Sequence, residues 1–372
     1  MDISKRNSAL DITRIVALFS VVSVHFFLNT GFYKYTVTGK RMLVMTIMRT
    51  ACMICVPLFL TLTGYLMSRK TLSKKYYGGI VKTLGIYLLA SAACIVFRVF
   101  WAKAAFPGDL FWGILNFKTA AYGWYIEMYI GLFLLIPFLN LMWNGLTSKK
   151  QKLALVATLI VLTSLPSMLN AYNFSVAGWW KTPVISAEYR DIFPKWWTGI
   201  YPLTYYFVGA FLREFPLKLK GWQKLALWGG SILVFGLFNF YRSHGGIFVW
   251  AQYNDWKGLP NLIMTVFAFS FLSSINTGKY PNAVKRVLMY VSDLCLGAYL
   301  VSYIFDRMYY SVLNSHVKET IYKLEWFPVI VPCIFLSALA LSAVLNLIYS
   351  GIAAGCRGIR RRIGTSEKNN RI

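Results

Sequence analysis

Arg14 and His25, both within the first apolar run LDITRIVALFSVVSVHFFLN at 10–29, are the residues whose types and spacing could do chemistry. They stand 11 positions apart, which at roughly 100° and 1.5 Å per residue puts both on one helix face, about 16 Å from each other. Histidine titrates near neutrality and is the usual proton acceptor in catalysis, whereas a guanidinium suits phosphate or carbonyl recognition. Ionisable groups at membrane depth are costly unless they face a protein interior or a wet cavity, so the pair marks a functional site. Each has a structural role open to it as well. Arg14 could snorkel to lipid headgroups, and one hydrogen bond inside a bundle could satisfy His25.

Other candidates follow along the chain. The run VPLFLTLTGYL at 56–66 leads directly into Arg69, Lys70, Lys74 and Lys75, a cluster that suits a phosphate-bearing cofactor and equally suits an ordinary basic loop on the cytoplasmic side. Glu127, early in the apolar run after Gly123, could orient a histidine or bind a hydroxyl, or could snorkel outward. Asp11 and Ser8 have the spacing of a capping box, with Asp11 also able to pair with Arg14 at i,i+3. Ser292 or Asp293 is expected to cap a later helix. His244 and His316 are expected at the solvated surface. No Walker loop, dinucleotide fingerprint, G-x-S-x-G elbow or H-E-x-x-H helix is present, and no metal site is expected.

The elements that must position these groups are membrane helices. Of the 372 residues, 57% are hydrophobic and 14% charged, a composition that excludes an ordinary soluble domain. The expected fold is all-α, a polytopic helix bundle of about ten spans, at 10–29, 42–67, 80–101, 124–143, 152–169, 197–213, 223–241, 259–276, 287–310 and 327–353. The short run at 197–213 holds Pro202 and is the weakest of them. Pro57 should kink the second span, and Gly64 permits a close backbone approach.

A formal charge of +26 could suggest nucleic acid, but the basic residues sit in short loops and a tail. Of the 39, 24 fall on one side of the alternating spans, which places both termini in the cytoplasm of a multi-pass cell-membrane protein with no nucleic-acid partner. The longer loops, 170–196 and 241–258, carry Trp179, Trp180, Trp196, Trp197, Trp250, Asp191 and Asp255, which suits either an interfacial belt or a sugar-binding surface. The six cysteines, including Cys52 and Cys55, read as small buried apolar residues. Residues 1–355 read as one integral-membrane domain, followed by a short basic tail at 356–372.

The first run, DITR at 11–14 through His25 with its Arg-x10-His spacing, resembles the first helix of the acyltransferase family 3 membrane proteins. VPLFLTLTGYL (56–66), GWYIEMYIGLFLLIPFLN (123–140) and SDLCLGAYLVSYIFD (292–306) follow in that family's order. The resemblance implies about ten helices and transfer of an acyl group, commonly acetyl from acetyl-CoA, to hydroxyls of cell-surface polysaccharides or glycolipids. It makes His25 and Arg14 the essential pair.

Two positions depart from the family pattern. Leu72 stands where many members have a second arginine, and Ser302 where many have a histidine. The expected function is therefore an O-acetyltransferase with His25 as general base or as an acyl-histidine nucleophile. Arg14, Arg69, Lys70, Lys74 and Lys75 would hold the acetyl-CoA phosphates, Glu127 would assist, and membrane lipid and a carbohydrate acceptor would be the other partners. A polysaccharide or lipid-linked sugar transporter is the alternative, since it too needs many spans and buried polar residues.

Overall fold

The computed structural model describes residues 6–103, 108–181 and 192–369, with side chains at all of these except 108–110 and 357–369. Asp191 and most of the basic tail's side chains lie outside the described residues. In chain order the helices are α1 (Ser8–Asn29), α2 (Gly39–Cys52), α3 (Cys55–Met67), α4 (Lys74–Gly78), α5 (Val81–Phe100), α6 (Gly108–Leu115), α7 (Trp124–Gly145) and α8 (Lys149–Thr163). They continue with α9 (Leu165–Leu169), α10 (Tyr201–Glu214), α11 (Gly221–Ser243), α12 (Leu259–Leu272), α13 (Asn282–His316), α14 (Thr320–Lys323) and α15 (Phe327–Asn369). Two isolated β-bridges join Thr36 to Ile247 and Val37 to His244.

Among the described residues, eight helical stretches are long and apolar enough to cross a membrane. The expected spans at 197–213 and 259–276 appear as helices of 14 residues each, α10 and α12. Both are packed inside the bundle, so they meet protein where a lone helix of that length would meet lipid. α15 runs through position 356 to Asn369 without interruption.

Local chemistry explains where the helices break. Pro57 has no N–H and its ring crowds the carbonyl four residues back, and the chain breaks there, at Met53 and Ile54 between α2 and α3. The start of α1 differs from the Ser8–Asp11 box: Asn7 is the cap, its side chain accepting from the Ala9 N–H at 3.0 Å. That leaves the Asp11 carboxylate for Arg6, at 2.6 Å. Nor do Ser292 and Asp293 cap a helix, because α13 begins ten residues earlier, after Pro281. Cys55, Cys94 and Cys295 are buried as expected, whereas Cys333 and Cys356 are exposed; all six are free thiols.

At the centre of the bundle α13 packs against α1, α5 and α15, while α3 packs against α1, α10 and α12. The α3–α10 crossing depends on two glycines. A Cβ on Gly64 would collide with the Tyr206 carbonyl, and one on Gly209 with the Thr61 carbonyl, so the backbones touch where both side chains are absent. Asn140 of α7 fixes the end of α3: its amide donates to the carbonyls of Met67 (2.9 Å) and Lys70 (2.7 Å), and its oxygen accepts from the Tyr206 hydroxyl at 2.6 Å. The loop that carries the basic cluster is thereby anchored to the bundle.

Candidate active site

His25 lies three turns along α1 from Arg14 and is buried, at 9% exposure. Its ring stacks on Tyr122, with centroids 3.9 Å apart and planes at 30°. Its Nδ1 lies 3.0 Å from Asp306 Oδ2, an ion-pair separation reached without the alignment of a hydrogen bond. Tyr122 donates its hydroxyl to the same Asp306 oxygen at 2.6 Å, and the other carboxylate oxygen is buried with no partner. A buried carboxylate with one hydrogen bond calls for a positive neighbour, and the imidazole, once protonated, is that neighbour.

Each member of this group is held from a different direction. His25 is fixed by the packing of α1, its backbone carbonyl accepting from the Asn29 side chain at 2.8 Å. Asp306 comes from the long α13. Tyr122 precedes α7 in a tight turn that needs Gly123, where a Cβ would strike the Phe117 carbonyl. The Tyr122 carbonyl in turn accepts from the Tyr299 hydroxyl of α13 at 2.7 Å.

Two cavities approach this group. One, of about 180 Å³, is lined by Arg14, Thr63, Thr83, Tyr125, Tyr129 and Tyr299. The other, of about 540 Å³, is lined by Asp306, Arg307, Tyr303, Asn29 and Asn314, among others. Arg14 donates to Ser292 Oγ at 2.6 Å and lies 3.7 Å from Asp11. Arg6, which the sequence did not single out, ties this end of α1 to α13 by pairing with both Asp11 (2.6 Å) and Asp293 (2.8 Å). The polar face of α1 is therefore docked on α13 at each end.

The remaining expected residues divide into two groups. Arg69, Lys70, Lys74 and Lys75 are exposed. Their loop connects Thr63 on α3 to Thr83 on α5, both of which line the Arg14 cavity, so the cluster lies at that cavity's end of the bundle. Glu127 is exposed on α7, and it is Asp306, not Glu127, that lies against the histidine. His244 and His316 are exposed, away from the site.

A family model described as an acyltransferase domain, that of acyltransferase family 3, matches residues 7–347, nearly the whole chain and every residue of this site. No curated protein and no solved structure matches.

Proposed function

Because the chain belongs to acyltransferase family 3 and is a multi-pass membrane acyltransferase, we propose that it transfers acetyl from acetyl-CoA to a hydroxyl of a cell-surface polysaccharide or glycolipid. In this reading the Arg14 end faces the cytoplasm. The CoA phosphates rest against the exposed cations at 69–75, and the thioester reaches along the Arg14 cavity toward His25. The acceptor hydroxyl enters by the Asp306 cavity.

His25 takes the hydroxyl proton as the oxygen attacks the thioester carbonyl. The C–S bond then breaks, and the leaving CoA thiolate recovers the proton from the imidazolium. Asp306 faces Nδ1 and stabilises the charge that forms on the ring, with Tyr122 fixing the carboxylate and the plane of the imidazole. Glu127, exposed at the start of α7, is left to contact acceptor or headgroup outside this proton path.

The observation that carries the reading is the His25–Asp306 pair standing between two cavities of different character. The test uses purified protein in lipid nanodiscs with acetyl-CoA and surface glycan from the source cell. One CoA released for each acetyl gained by the glycan, measured by thiol titration and mass spectrometry, is the expected result. Glycan movement across the membrane without CoA release would replace the enzyme with a carrier.

A further inference from the structure

Beyond Asp306, Leu28, Asn29 and Asn314 of the second cavity also line a neighbouring lobe of about 530 Å³. This lobe starts about 5 Å along α1 from His25. Its ammonium is Lys323, only 6% exposed, which donates to the carbonyl of Thr30 at 3.1 Å. An ammonium has three donors, and among the described residues Lys323 has no acid within ion-pair distance; Glu319 attracts it only from farther off. Glu319, one turn back, is exposed. A second cation, Lys34, stands exposed at the rim, and no acid lines the lobe.

The rest of the lining is suited to a sugar ring. Trp250, half exposed, lies against Tyr33 with centroids 4.8 Å apart, offering apolar ring faces beside hydrogen-bonding groups. Asn314 donates to the Asn29 carbonyl at 2.9 Å, while its own oxygen is buried and unpartnered, an acceptor waiting for a donor.

We infer that this lobe is a subsite for an acidic sugar unit of the acceptor, its carboxylate pairing with Lys323, its hydroxyls reaching Asn314, and its ring against Trp250. The inference rests on the acyltransferase reading for what happens to the bound chain, but binding can be measured without chemistry. In that arrangement the acid unit sets which neighbouring hydroxyl arrives beside His25.

The test compares oligogalacturonate with its methyl ester, the same chain without charge, binding to the full-length protein in zwitterionic nanodiscs at low salt. The acid form should bind about tenfold more tightly, the scale of one partly screened ion pair, and His25→Gln should keep that preference. Lys323→Met should remove it. Lys323 also caps the carbonyl end of α1, so the exposed-rim variant Lys34→Glu, which should cut the preference severalfold, keeps the test open if Lys323→Met does not fold. Equal binding of the two chains, or a preference that survives both variants, overturns the subsite. So does Lys323-dependent retention of phosphatidylglycerol in native mass spectrometry with no uronate preference, which would make the lobe a lipid headgroup site. A uronate preference without any acyl transfer would leave the subsite standing and remove the enzyme reading.

Discussion

Replacing Asp306 with Asn is the sharpest perturbation of the proposed proton path, because it removes one charge and leaves the shape. Asn keeps an oxygen to accept from Tyr122, now at 2.6 Å, so the stacking of Tyr122 on His25 has no reason to change. What disappears is the attraction between carboxylate and imidazolium. At the observed 3.0 Å and an effective dielectric of about 20, a full ion pair is worth about 5.5 kcal/mol. With the proton about half transferred in the transition state, about half of that is lost, which corresponds to roughly 10²-fold in kcat. KM for acetyl-CoA should hardly move, since Arg14 and the basic loop lie about 16 Å away along α1. Steady-state CoA release in nanodiscs measures both constants. A kcat within threefold of the parent, from a variant that elutes as one species, would refute the role given to this carboxylate.

His25→Gln keeps much of the side chain's size and hydrogen bonding but cannot accept a proton at neutral pH, so it should lose at least roughly 10² in kcat while still binding acetyl-CoA; an active variant would sink the general-base mechanism. Neutralising Arg69, Lys70, Lys74 and Lys75 together should raise KM for acetyl-CoA in a salt-dependent way with kcat nearly unchanged, because these exposed cations make screened contacts; an unchanged KM reduces them to a topology signal. Gly64→Ala should lower the melting temperature in detergent, with a cost of about 1–3 kcal/mol for forcing α3 and α10 apart, and a neutral result would mean the crossing can shift freely.

The part of the site carried by one helix was legible in the sequence, and the part assembled across helices was not. Arg14 and His25 stand out because an apolar run exposes every ionisable residue within it, and their spacing fixes a shared face. Asp306 sits at the far end of another span beside Arg307, where a carboxylate reads as an interfacial ion pair, and nothing in a single sequence brings it to His25. Tyr122 belongs to a turn, and its role comes from a Gly123 contact that no periodicity records. Glu127 attracted attention as an acid in an apolar segment, but α7 buries Tyr125, Ile126, Leu132, Phe133 and Ile136 while leaving Glu127 exposed. Hydropathy located α10 and α12 but could not show how deeply they are packed, since their burial depends on neighbours contributed by distant segments. Gly64 was readable as a point of close approach, though not which helix it meets.

The aromatic layer between the two cavities has a consequence for the cell's energy supply. An enzyme that takes its donor from one face of a membrane and its acceptor from the other is at risk of becoming a channel, and protons are the ions a bacterium or organelle can least allow to leak. Here Tyr122 and Tyr299 are bonded to each other between the cavities, and Tyr125 packs edge-on against Tyr299 with centroids 5.7 Å apart. These rings, with Tyr122 stacked on His25, fill the space between the two cavities where a file of water would have to pass. Tyr122, which holds Asp306 by a hydrogen bond, is thus also part of the barrier between the two cavities.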